Sequence, residues 1–280
     1  IRGIAHNLGE KNASTFTEDL HKDRKVDFIM SNPPFNLKGW RKGDELTDDY
    51  RWRGYSVPRA SNANYAWILH MISKLDVNHG IAGFLLANGA LNDPDEFEIR
   101  KQLLENDKVE AIIVLPRDMF YTTDISVTLW IVNMNKKAGV VNGRQLRDRT
   151  NEILFMDLRK WNENVEEIVI DKGKKKKKTV LYDEQIARVK EVYSNWQSVD
   201  TNLYSDVPEF CKSASLEDLR SRNYSLAPSK YIEFIDHDLE IDYESEMKRV
   251  QSEMVDIMKK EKKSQAMLVE AFRGIGYGID

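Results

Sequence analysis

The stretch Asp27-Phe28-Ile29-Met30-Ser31-Asn32-Pro33-Pro34-Phe35-Asn36 decides how the rest of the chain is read. Residues 26–31, VDFIMS, have the apolar character of a short buried strand. Two consecutive prolines then stop it. Proline has no N–H and a fixed φ, so Pro33-Pro34 makes a stiff extended turn whose carbonyls remain free to accept hydrogen bonds. Asn32 adds a side-chain carbonyl acceptor. The strand thus ends in two acceptors at fixed spacing, the Asn32 amide oxygen and the Pro33 carbonyl, with the flat ring of Phe35 beside them. Two acceptors and a stacking face suit a planar group that carries an NH2.

The exocyclic amine of adenine is such a group. It is a poor nucleophile because its lone pair is delocalised into the ring. Hydrogen bonds from both N–H groups to fixed acceptors favour a more tetrahedral nitrogen and stabilise the positive charge that develops during attack on a methyl group. A base inside a duplex reaches such a pocket only by flipping out, and Phe35 would then stack on it.

Working outward, residues 37–60 are polar, rich in Trp, Arg and Asp, and without a clear period, which predicts a long functional loop. Residues 62–75 place Ala66, Leu69, Ile72 and Leu75 at helical spacing, with Asn62 or Asn64 as cap. Strands are expected at 80–88, 109–115, 126–134 and 152–156, and a charged helix at 95–106. Alternating strands and helices predict a parallel α/β sheet with an antiparallel edge at its end. Functional groups in such sheets collect beyond the carboxyl ends of the strands, where residues 32–35 fall. A further helix is expected at 183–197, and a charged helical tail from about 239 to 273, where Met247, Val250, Met254 and Ile257 form a short seam.

Composition narrows the function classes. The chain has 280 residues, 41% hydrophobic and 31% charged, with a net charge of −4. Global charge therefore does not announce a nucleic-acid binder, and local patches must carry that reading. The lysine block at 172–178 is read either as a solvated loop or as a phosphate-contacting one. Arg41, Lys42, Arg51, Arg53 and Arg59 are candidates to grip DNA phosphates, although Asp44, Glu45, Asp48 and Asp49 interleave with them. The single cysteine, Cys211, excludes an internal disulfide, fits a cytoplasmic location, and is read as a packed thiol. No apolar run is long enough for a membrane helix.

Asn32-Pro33-Pro34-Phe35 matches the catalytic motif of N6-adenine DNA methyltransferases. The surrounding blocks, GIAGFLLANGAL, EIRKQLLENDKVEAIIVLPRDMFYTTDISVTLWIVNMNK and VPEFCKSASLEDLRSRNYSLAPSKYI among them, resemble the modification subunit of type I restriction–modification systems over nearly the whole chain. The resemblance implies a Rossmann-like α/β fold that uses S-adenosylmethionine, followed by a helical C-terminal region. It implies partners: DNA, a specificity subunit, a restriction subunit and a second modification subunit. By position, Asn32, Pro33, Pro34 and Phe35 would hold and stack the adenine, and Phe120 and Tyr121 would help to line its pocket. The expected organisation is a catalytic-domain portion at 1–160, a family-specific segment at 161–235 and a helical tail at 236–280.

The chain departs from the family's pattern in one respect. The family's Phe-x-Gly-x-Gly donor loop and the acidic residue after the next strand lie upstream of the catalytic motif, and only 31 residues precede Asn32. The expectation is therefore of a C-terminal portion of the subunit, a noncatalytic assembly module being the alternative. Ser14 stands where the family commonly has an acidic residue, and Asp19 is a candidate substitute. Phe272-Arg273-Gly274-Ile275-Gly276 repeats the glycine pattern but has no room for a following helix. Protein-glutamine methyltransferases share the pocket logic, but usually carry Tyr at the position of Phe35.

Overall fold

The strands in chain order are β1 (Phe28–Ser31), β2 (Ile81–Ala87), β3 (Val109–Val114), β4 (Val127–Asn133), β5 (Gly139–Val141), β6 (Arg144–Leu146), β7 (Glu152–Asp157), β8 (Val165–Val169), β9 (Lys175–Thr179) and β10 (Cys211–Ser215). The helices are α1 (Asn64–Lys74), α2 (Phe97–Glu105), α3 (Asp183–Trp196), α4 (Leu216–Ser221) and α5 (Tyr243–Gly274). These come from a computed structural model that describes residues 3–120, 124–169, 175–235, 242–274 and 276–278. Two units divide the chain, Ile1–Phe234 and Ile235–Asp280.

Six strands form one mixed sheet in the order β1-β2-β4-β3-β7-β10. β1 is parallel to β2, and β3 to β7, while β4 runs antiparallel to both β2 and β3. The carboxyl ends of β1, β2, β3 and β7 therefore lie at the same end of the sheet. The reversed strand β4 is internal, inserted between β2 and β3. The antiparallel edge is supplied instead by β10, paired with β7, from residues in which the sequence reading found no strand.

Period-2 alternation splits the side chains between two cores. Ile112 and Val114 of β3 face the layer formed by α1 and α2. Ala111 and Ile113 face the opposite layer, where Val189, Val192 and Trp196 of α3 pack. On β1 the same alternation puts Ile29 against the first core. Phe28 and Met30, on the other face, are 69% and 96% exposed. The expectation of a buried strand at 26–31 is thus corrected: β1 is an edge strand, and its Phe28 and Met30 face is exposed.

Residues 161–234 fall within the first unit. β10 extends the sheet and Tyr231 stacks on Phe155 at 4.3 Å and 8°, while inside the segment Trp161 stacks on Phe210 at 5.0 Å. The lysine block is strand rather than loop over 175–178, where β9 pairs with β8 and sets Lys177 opposite Glu167. In the second unit, α5 buries no residue and carries ion pairs such as Lys248–Glu244 at 2.9 Å one turn apart.

Candidate active site

The motif leaves β1 where the prolines dictate. Ser31 is the last residue of the strand, Pro33 is buried, Asn32 is exposed and Phe35 is half-buried. Neither the Asn32 side chain nor the Pro33 carbonyl takes a hydrogen bond from a described residue. Both acceptors thus lie at the carboxyl end of β1 without a hydrogen-bond partner among the described residues, Asn32 exposed and Pro33 buried. Phe35 meets Phe120 edge to face, with ring centroids 6.2 Å apart and planes at 79°. The two aromatic positions named from sequence are therefore neighbours, though they lie 85 residues apart in the chain. Tyr121 lies outside the described residues.

An asparagine clasp fixes the turn after the motif, and sequence reading missed it. Asn36 has φ +52° and its N–H donates to the Asn64 side-chain oxygen at 2.9 Å. The amide nitrogens of Asn64 and Asn62 donate back to the Asn36 side-chain oxygen, at 2.9 and 3.2 Å. Asparagine tolerates the left-handed conformation, which lets the chain turn here. The residue at the N-cap position of α1 is Ala63, without a side-chain bond, but the Asn62 side-chain oxygen accepts from the N–H of Asn64, the first helical residue, at 3.0 Å. The available signal was the pair Asn62-x-Asn64 together with an asparagine directly after the motif.

The loop at 37–60 is built on an aromatic cluster. Phe16 lies 4.5 Å from Trp40 and 4.2 Å from Trp67, and Trp40 meets Trp52 at 6.0 Å. The indole N–H groups of Trp40 and Trp52 donate to the carbonyls of Arg59 and Leu46. Three of the five candidate phosphate contacts are consumed by this architecture. Arg51 is 4% exposed and donates to Asp49, to the carbonyls of Thr15 and Phe16, and to His70 Nδ1. Arg41 donates to the carbonyls of Lys42, Gly43, Glu45 and Pro58. Arg59 is clamped by Asp93 and Asp95. Lys42 and Arg53 stay exposed, Lys42 beside Glu45 at 3.8 Å.

Burial and the positive charge of Arg51 push His70 down to about 4. It stays neutral near pH 7, so its Nδ1 accepts from Arg51. Burial also pushes Glu96 up to about 7, against the attraction of Arg59. The Arg59 Nε and Glu96 Oε1 atoms are 3.5 Å apart, and both are buried without a hydrogen-bond partner.

Asp19, the candidate donor-site acid, is held by internal contacts. Burial pushes its carboxyl up, but hydrogen bonds from Lys74, the His21 N–H and Tyr50 outweigh that and hold it below its usual value. Lys74 sits 2.5 Å from its Oδ2, so both oxygens are engaged internally. Asp19, Thr15, His70 and Lys74 border a cleft of about 540 Å3 whose lining excludes residues 32–35. Ser14 lies in the adjoining turn, its hydroxyl accepting from the Thr17 N–H at 3.3 Å. Cys211 is buried and burial pushes its thiol up, as for a packed cysteine. No helix among the described residues is long and apolar enough to cross a membrane.

A family profile described as N-6 DNA methylase matches residues 1–239. The chain is 34% identical to the type I restriction enzyme HindI methylase subunit of Haemophilus influenzae, over 99% of this chain and 58% of that subunit. It is 28% identical to the MjaIX methylase subunit of Methanocaldococcus jannaschii, over 94% of this chain and 45% of that protein. In structure it is similar to the type I restriction-modification system methyltransferase subunit from Streptococcus thermophilus. That match has a TM-score of 0.62 at 26% identity and covers 80% of this chain and 42% of that one. The chain thus spans about half the length of these relatives.

Proposed function

Because the chain belongs to the N-6 DNA methylase family, we propose that it carries the amine-holding part of the catalytic site of an adenine-N6 DNA methyltransferase, the modification subunit of a type I restriction–modification system. The observation that carries this reading is the pair of unsatisfied acceptors, Asn32 Oδ1 and Pro33 O, at the carboxyl end of β1 beside the Phe35–Phe120 aromatic corner.

In this reading a flipped adenine presents its N6 amine to the two acceptors and its ring to Phe35. Each acceptor takes one N–H. Bound S-adenosylmethionine would supply a sulfonium methyl group: as the N6–CH3 bond formed, the CH3–S bond would break, S-adenosylhomocysteine would leave, and the cationic, tetrahedral nitrogen, held by both strengthened hydrogen bonds, would lose one proton to solvent. The acceptors are held in advance, Pro33 by its fixed φ and the turn beyond it by the asparagine clasp, so little reorganisation accompanies the charge. Pro34 keeps the turn extended. The methyl donor is S-adenosylmethionine. No step is assigned to any described residue on its behalf.

The partners of the whole protein are, in this reading, DNA, a specificity subunit that reads the target, a restriction subunit and a second copy of the modification subunit, in the cytoplasm. The exposed apolar positions of α5, such as Met254 and Ile257, support its use as a helix for subunit contacts. The test is Asn32→Ala in the methylation-competent protein. Methyl transfer to adenine is expected to fall below detection in a tritiated-methyl assay while donor binding is retained. A variant that methylates at the normal rate would rule out the assigned role.

A further inference from the structure

The loop that follows β3 and carries Phe120 also borders, through Arg117 and Asp118, a cleft of about 620 Å3. Its lining comes from the carboxyl ends of β2, β3 and β7 and from the lysine strand β9. It includes Asn88, Arg117, Ser126, Arg159 and Lys177, with Asp118 the one carboxylate among the described lining residues. None of these has a part in holding the amine. We infer that this cleft binds a backbone phosphate of the DNA strand that presents the adenine to Asn32, an inference that rests on the proposed function.

Three features point to that ligand. The first is the donor set. Arg117 and Lys177 are exposed, and Arg159 is oriented by a two-pronged contact with the buried Asp157, through Nε and Nη2 at 2.9 and 2.5 Å. A guanidinium fork already aimed by a carboxylate loses little freedom when it engages an anion. Asn88 accepts from the Thr128 hydroxyl through its amide oxygen, which leaves its NH2 group directed to other use.

The second feature is that the lysine strand is anchored at this place. The Thr179 N–H donates to the Asp118 carbonyl at 3.0 Å, and Lys176 pairs with Asp124 at 2.5 Å. These contacts spend Lys176 on holding the hairpin and leave Lys177, one residue on, at the cleft. The third feature is proximity. Arg117 and Asp118 border the cleft, and Phe120, two residues further along the same loop, touches Phe35. A base extruded onto Phe35 brings its own sugar–phosphate within one short loop of two exposed cations, Arg117 and Lys177, with Arg159 beside them already paired to Asp157. Such contacts fix the register of the strand without reading its sequence, which matches a subunit that positions a base that another subunit selects.

The experiment uses Arg117→Ala, Lys177→Ala and the double variant in the methylation-competent protein, with Lys190→Ala on the exposed surface of α3 as a control for lost charge. Binding to a duplex containing the methylated site and to an unrelated duplex is titrated at several salt concentrations. Each single variant is expected to weaken both duplexes by the same factor and to reduce the slope of log affinity against log salt by about one. Donor affinity is expected to be unchanged. Unchanged slope and affinity in the double variant would overturn the inference, as would an equal loss of slope in Lys190→Ala. Failure of the functional reading shows separately, as wild-type protein that transfers no methyl group to adenine; the salt slopes then still decide whether the cleft takes a phosphate.

Discussion

Arg51 and Arg53 stand two residues apart in one basic loop, and their surroundings give them opposite roles. Arg53 is exposed, whereas Arg51 is 4% exposed and hydrogen-bonded on every side. A buried guanidinium with its donors satisfied is a fastener. It joins the 37–60 loop, through Asp49, to the carbonyls of Thr15 and Phe16. Removing it leaves Asp49 and two carbonyls without their donor in a closed site. Arg51→Ala is expected to lower stability by about 3–5 kcal/mol in urea titration, as breaking a buried pair does. Its effect on DNA binding should follow the folded fraction alone, with no change in salt slope, which separates it from the cleft cations.

At the scale of elements, the segment that opens α2 is tied to the loop after the motif by Arg59. That arginine bridges to Asp93 and Asp95 and approaches Glu96, at the end of the 3-10 turn Pro94–Glu96. Two carboxylates already share its charge. Burial therefore prevails at Glu96 and holds it protonated up to about pH 7. An unfolded glutamate ionises near 4.5, so the folded state binds more protons between these values and its stability declines as pH rises from about 4.5 to 7. Glu96→Gln removes the ionisation. The variant is expected to match wild type at pH 4 and to exceed it at pH 8 by roughly 1–3 kcal/mol. Denaturant midpoints at the two pH values check this, and equal midpoints at pH 8 would refute it.

At the scale of the first unit, one polar knot joins the sheet to its surroundings. Glu110 is wholly buried in β3 and accepts from Arg149 Nε at 3.0 Å, Asn133 Nδ2 at 2.5 Å and Gln197 Nε2 at 3.0 Å. These partners come from β4, the segment before β7 and the end of α3. Nearby, Lys136 Nζ reaches Asp107 at 2.5 Å and the carbonyls of Val109 and Glu152 at 3.0 and 2.6 Å. Glu110→Ala strands a buried guanidinium and two amides. It is expected to cost about 3–5 kcal/mol, enough to remove much of the stability of a marginally stable unit. Thermal unfolding checks this, and a variant unfolding within a degree of wild type would show that the knot is not structural.

The sequence by itself determined a good deal. The run 27–36 located both a strand and the turn that ends it, because proline chemistry is local and Asn-Pro-Pro-Phe needs no distant partner to be read. Apolar periodicity located α1, α2, β2, β3, β4 and β7 for the same reason. Only the tertiary structure decided which strand lies inside the sheet. The reversed strand β4 and the edge strand β10 are placed by pairing partners elsewhere in the chain. It also decided which cations are free. Arg51 is consumed by Thr15, 36 residues away, and Arg59 by Asp93, 34 residues away, while Lys177 is presented by a hairpin docked on Asp118. A charge is visible in the sequence. Whether its hydrogen-bonding capacity is already spent depends on which distant groups folding brings to it, and no local pattern encodes that.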